Sequence, residues 1–271
     1  MRNLLAVACL CLFCATASGQ QYPNKPVRLI VPFPPGGAAE LGARIFAQPL
    51  GQALGQPVII ETRPGADGII ASEAVKLAAP DGYTLYYGTA TGMSWVPAAK
   101  KVPPYDPIND FTPVSMVGIF GFFVFSHASL PVNTIGELVA YARANPGKLN
   151  YGTGNATSIL ATGQFAPLEK LDMVHIPYRG DGPLSIDLVG GRVQLAIATP
   201  GTLAPQVKEG KLRVLATLLP NRNPLLPDAP TMAEAGLAQV SITPWGGLFG
   251  PAKMPKEIVD RLARAVGLSL D

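Results

Sequence analysis

Val27-Arg28-Leu29-Ile30-Val31, running directly into Pro32-Phe33-Pro34-Pro35-Gly36-Gly37 and then Ala38-Ala39-Glu40-Leu41, is the stretch on which the fold turns. The first five residues are a short β-branched run, which reads as a buried strand. The prolines and glycines end it, and Leu41, Ile45 and Leu54 then recur on one apolar stripe of a helix opening at Ala38. An interior proline costs about 3 kcal/mol, so this helix is expected to kink or end at Pro49. A strand feeding a helix through a glycine-bearing loop is the unit of an α/β sheet with mainly parallel strands.

The same grammar continues on both sides of later turns. Val58-Ile59-Ile60-Glu61 is a second strand, Ala71 to Ala78 a helix, and Tyr83-Thr84-Leu85-Tyr86-Tyr87 a third strand after Pro80-Asp81-Gly82. The proline-rich stretch Lys100 to Pro113 reads as a surface connection. From Phe122 the pattern restarts. A capping box at Thr134-Ile135-Gly136-Glu137 opens a helix that stops at Pro146-Gly147. Strands follow at Leu149-Asn150-Tyr151, Val174-His175-Ile176, Leu195-Ala196-Ile197-Ala198 and Leu212 to Thr217, with helices from the Thr153–Ser158 loop to about Lys170 and over Pro183 to Val189. A second capping box, Thr231-Met232-Ala233-Glu234, predicts a short helix. Two lobes result: residues 22–118 with 218–271, and residues 119–217, joined by crossings near 118–125 and 214–220.

The amino terminus differs from the rest. Arg2, the apolar run Leu4 to Cys14 and Ala15-Thr16-Ala17 have the order of a secretory signal peptide over residues 1–17. The uncharged run is shorter than the roughly 20 residues of a membrane-spanning helix. All three cysteines, Cys9, Cys11 and Cys14, fall inside it, so the expected mature chain has no disulfide, thiolate or cysteine-based metal site. Removing Arg2 from the 21 basic residues leaves them two in excess of the 18 acidic ones, too even a balance to suggest nucleic acid as a partner. The 29 glycines and 28 prolines make a loop-rich chain, yet fall short of the roughly 25–30% that marks low complexity.

Two loops carry the candidate site. Pro34, Pro35, Gly36, Gly37, Ala38, Ala39 and Glu40 form one; Thr153, Gly154, Asn155, Ala156, Thr157 and Ser158 form the other. Each lies at the carboxyl end of a strand and the amino end of a helix, the edge at which open α/β sheets gather ligands. Unpaired amides at a helix start favour an anion. Glycines let the backbone approach a ligand, and the hydroxyls and amide add neutral donors, so the pattern suggests a carboxylate held without lysine or arginine. Four or five charge-assisted bonds of about 1.5–3 kcal/mol each reach the roughly 8 kcal/mol of a micromolar complex after ordering costs. The same residue types also serve plain turns and helix caps. Thr89, Ala90, Tyr178 and Thr199 complete the candidate set. Glu40 fits either the cleft or the opposition of its helix dipole; Arg179 fits either a cationic wall or a solvated turn; Trp95 and Trp245 fit either the lobe interface or the core.

Catalytic patterns are missing from the sequence. The two histidines, His127 and His175, are far apart in the chain, and His175 within a strand reads as a hydrogen-bonded structural residue. Nothing matches a nucleophile elbow, a zinc-binding helix or a P-loop. Gly152-Thr153-Gly154-Asn155-Ala156-Thr157 starts like a dinucleotide fingerprint, but Thr157 stands at its third glycine. No enzyme activity and no cofactor are expected.

Tyr22-Pro23-Asn24-Lys25-Pro26 leading into Val27–Gly37, then Glu61-Thr62-Arg63-Pro64-Gly65-Ala66, Pro80-Asp81-Gly82-Tyr83-Thr84-Leu85 and Tyr105-Asp106-Pro107-Ile108-Asn109-Asp110-Phe111, closely resemble the receptors of tripartite tricarboxylate transporters, the Bug-type solute-binding proteins. The likeness continues through Asn145-Pro146-Gly147-Lys148, Ile176-Pro177-Tyr178-Arg179-Gly180, Gly210-Lys211-Leu212-Arg213 and Leu226-Pro227-Asp228-Ala229-Pro230-Thr231, and covers residues 22 to about 265. It implies a two-lobed periplasmic binding fold of the type II kind with the ligand cleft between the lobes. It also implies a small organic acid as ligand, often held through ordered waters, and membrane permease subunits as partners. Three departures stand out against the family pattern. Glu40 replaces an aspartate, Ile159-Leu160 stand where a histidine is often found, and Thr199 replaces an acidic residue. The family usually continues well beyond residue 271, which implies less buried apolar area, and so lower stability, for the first lobe here.

Overall fold

Val27–Val31 forms the strand β1, with every residue but Arg28 fully buried. In the computed structural model, which describes residues 22–238, 240 and 242–270, two five-stranded sheets organise the chain. The expected signal peptide lies outside the described residues.

The first sheet uses β1, β2 (Val58–Thr62), β3 (Thr84–Thr89), β4 (Phe111–Ile119) and β10 (Trp245–Pro251) in the order β2-β1-β3-β10-β4. The second uses β5 (Phe123–His127), β6 (Asn150–Thr153), β7 (Val174–Pro177), β8 (Leu195–Ala198) and β9 (Leu212–Thr217) in the order β7-β6-β8-β5-β9. Parallel pairing is confined to β1 with β2 and β3, and to β6 with β7 and β8. The remaining pairs are antiparallel, so the sheets are mixed rather than mainly parallel. The reason is connectivity. β4 leaves the first sheet and β5 enters the second across residues 120–122, with no crossover helix to restore direction.

The helix α1 (Ala38–Leu54) runs on through Pro49 instead of stopping. Ala43, Phe46, Ala47, Leu50 and Leu54 bury one continuous face, and burial on both sides of the proline offsets its lost hydrogen bond. Ile45, expected on that face, points outward at 78% exposure. Further helices are α2 (Ile69–Lys76), α3 (Val96–Ala99), α4 (Ile135–Ala144), α5 (Ala156–Leu168), α6 (Asp181–Val189), α7 (Ala204–Lys208) and α8 (Lys256–Leu270). Thr134 caps α4 by accepting from the Glu137 amide at 3.1 Å.

Residues 218–271 do not stay together. Leu218, Met232 and Val240 bury in the core under the second sheet, as do Leu226 and Ala229, and the chain returns to the first sheet only at β10. Thr231 and Glu234 make both bonds of the expected capping box, at 2.8 and 3.1 Å, yet they close a single turn. Gly236, at φ 72°, ends it. The two inter-lobe crossings are bonded to their neighbours: Phe120 N–H donates to the Pro244 carbonyl and Leu218 N–H to that of Phe122, both at 2.8 Å.

Candidate functional site

The first loop starts where proline makes strand continuation impossible, since Pro32 and Pro34 have no N–H for a ladder. Gly36 has φ 82°, a conformation that suits glycine, and its N–H donates to Glu40 Oε2 at 3.2 Å. Glu40 is 2% exposed, and its other carboxylate oxygen forms an ion pair with Arg44. The acid therefore turns back onto its own helix start. Gly37, the residue before α1, offers no side-chain cap to the first amides of α1, and Ala38 and Ala39, which carry them, line the cavity.

The second loop is capped. Asn155 Oδ1 accepts from Ser158 N–H at 3.0 Å, and Ser158 Oγ accepts from Asn155 N–H at 3.2 Å. Ser158 is thus held within the helix start. Thr153 Oγ1 lies 2.7 Å from His175 Nε2, while the imidazole stacks on Tyr151 at 4.9 Å. Thr157 instead reaches across the lobes: its hydroxyl bonds that of Thr91, in a π-helical turn over Thr91–Trp95, at 2.8 Å and buried.

Between the two loops lies a cavity of about 50 Å³, walled by both lobes. A single water needs roughly 10–15 Å³, so the space suits a small guest. Phe33, Phe120, Phe122 and Trp245 supply apolar walls. Thr89, at the end of β3, contributes a buried hydroxyl with no hydrogen-bond partner among the described residues. The lobes meet tightly around the cavity, because a Cβ at Gly180 would come within 2.9 Å of Pro34 and one at Gly201 within 3.2 Å of Leu41.

Among the described residues, one titratable group lines this cavity. Asp181 begins α6 and is 9% exposed; Oδ2 accepts from Thr199 Oγ1 at 2.8 Å and Oδ1 from Asn155 Nδ2 at 3.3 Å. Burial raises its carboxyl above the usual carboxylate range, against the opposing effect of those two hydrogen bonds. Among the described residues, no lysine, arginine or histidine lines the cavity.

Of the residues named from sequence, Pro34, Gly37, Ala38, Ala39, Thr89 and Ala90 line the cavity from the first lobe, and Gly154, Asn155, Thr157 and Thr199 from the second. Pro35, Gly36, Glu40, Thr153, Ala156 and Ser158 stand outside that lining. Tyr178 faces a neighbouring crevice with Arg179, and its hydroxyl donates to Asp187 at 2.8 Å. Burial and that carboxylate push the phenol up to about 12. Trp95 packs in the core beside β3, whereas Trp245 both packs there and lines the cavity. Sequence reasoning did not single out Phe33, Thr91, Phe120, Phe122, Asp181 or Pro244. Asp181 had one legible signal, an acid directly after a glycine at a helix start; the aromatics had none.

The chain matches the model of the tripartite tricarboxylate transporter family receptor over residues 42–271. It is 34% identical to protein BugT of Bordetella pertussis, an alignment spanning 100% of this chain and 85% of that protein. Among solved structures it superposes on Rpa4515 of R. palustris, described with adipate, at a TM-score of 0.85 and 34% identity, covering 90% of this chain and 83% of that one. MatC from Rhodopseudomonas palustris, described with bound malate, gives 0.84 and 32%, covering 92% and 86%. The two sheets, the cleft between them and these matches agree: the chain belongs to the tripartite tricarboxylate transporter receptor family of solute-binding proteins.

Proposed function

We propose that this chain is an exported, periplasmic receptor that closes its lobes on a small organic acid and delivers it to the membrane permease subunits of a tripartite tricarboxylate transporter. The observation that carries this reading is the convergence of two helix starts, α1 and α5, on one inter-lobe cavity that also holds the unpartnered Thr89 hydroxyl. Amides at helix starts supply partial positive charge without a basic side chain. Capture rather than catalysis fits the histidines, since His127 bonds Ser129 and His175 bonds Thr153, both away from the cavity lining. Relatives described with adipate and malate support an acid as the guest.

A thermal-shift screen of the chain against organic acids, followed by calorimetry, tests the reading. A ligand at about 100 times its dissociation constant stabilises by roughly 2.7 kcal/mol, a readable rise in midpoint. Gly37→Glu places a bulky anion at the α1 start and is expected to weaken binding by a hundredfold or more. Its Cβ meets nothing closer than the Pro34 carbonyl at 3.5 Å, and a retained cooperative melt checks that the variant folds. Unchanged affinity in that variant, or shifts only with nucleotides or sugars, counts against the site.

A further inference from the structure

We infer that Asp181 makes this cavity select an acid that also carries an ammonium group, such as a short amino acid, over a plain dicarboxylate of the same frame. The inference rests on the carboxylate-receptor reading and narrows it.

Asp181 is a cavity-lining carboxyl in a wall otherwise built from apolar side chains, hydroxyls, one amide and helix-start backbone. An ionised carboxylate offers about four acceptor positions. Two are taken here, by the Thr199 hydroxyl and the Asn155 amide, both neutral donors. Among the described residues Asp181 takes part in no ion pair. A buried carboxylate without a cation is costly, and among the described residues the cavity lining has no lysine, arginine or histidine to supply one. A guest ammonium supplies the missing countercharge and fills acceptor positions left open. A second carboxylate at the same wall adds like charge in a site screened from water. The guest's own carboxylate goes to the α1 start, which faces the cavity from the lobe opposite Asp181, so one zwitterion bridges the two lobes. Asn155 fixes Asp181 beside the α5 start, because its Oδ1 caps α5 while its Nδ2 donates to Asp181. The narrow space, about 50 Å³, favours a short guest.

The rival arrangement is a protonated Asp181 that donates to a guest carboxylate, and it predicts the opposite selectivity. Calorimetry with aspartate, malate and succinate separates the two, since these share a four-carbon frame and differ by ammonium, hydroxyl or hydrogen at one carbon. Glutamate with glutarate, and 3-aminopropionate with propionate, are run as further pairs. The expected result is aspartate at least tenfold tighter than succinate with malate between them. Asp181→Asn should narrow that ratio to below threefold, mostly by weakening aspartate. Should the Asn variant not fold, the ratios measured on the unaltered chain decide. If acids bind but in no pair is the ammonium-bearing member tighter, or if Asp181→Asn leaves the ratio as it was, the inference falls and the carboxylate reading stands. If no acid of any kind binds, both fall together.

Discussion

A Cβ on Gly154 would sit 2.8 Å from the backbone of Gly180 and Asp181, and against Asp181 Oδ1. Backbone on the far side cannot swing away as a side-chain end can, so Gly154→Ala must displace the turn that carries Asp181. Overpacking of this kind typically costs 1–3 kcal/mol, about the loss expected in urea unfolding, with weaker ligand binding as well. An unaltered midpoint would show that the turn yields freely. The sequence identified Gly154 as a residue letting something approach closely, but the thing approaching is the start of α6, some 26 residues on. Glu40 shows the same division. Its place at the first turn of α1 was legible, and its choice between cleft and helix dipole was settled by the Gly36 amide and by Arg44.

Helix α1 shows how packing overrides a local rule. Pro49 argues for a break, yet Leu50, one residue later, is completely buried against the first sheet. Leu50→Ala is expected to lower the unfolding free energy by about 2–5 kcal/mol, comparable with the proline's own cost. A loss below 1 kcal/mol would mean that packing does not hold the last turn. Strand β10 is the converse case. In Trp245-Gly246-Gly247-Leu248-Phe249-Gly250-Pro251 three glycines and a proline outweigh the strand-favouring Trp245 and Phe249, giving the composition of a loop. It nevertheless runs between β3 and β4 in the first sheet. Its glycines answer to neighbours distant in sequence: a Cβ at Gly246 would come within 3.1 Å of the Phe120 ring and 3.3 Å of the Tyr87 hydroxyl.

At the scale of the whole molecule, the meeting of the two lobes depends on contacts that no single lobe can make. The Thr91 and Thr157 hydroxyls are bonded at 2.8 Å across the cleft, and both are buried. Thr91→Val leaves the Thr157 hydroxyl buried and unpaired on closure, a penalty of roughly 1–3 kcal/mol. The crossing at residues 120–122 is untouched, so under the proposed closure the expected outcome is a shift towards open lobes. Small-angle scattering of the free protein should show a larger radius of gyration, and ligand affinity should fall by about tenfold; no change in either would remove this bond from the closure mechanism. By itself, the sequence determined the α/β grammar, the two loops at strand ends and the family, because periodicity, turn chemistry and motif order all reside in residues close along the chain. Only the tertiary structure decided the mixed sheets, the return of the chain at β10, and the meeting of Phe33, Thr91, Phe120, Asp181 and Trp245 around one cavity. Those residues come together through sheet order and lobe closure, and a distance across a cleft has no signature in local sequence.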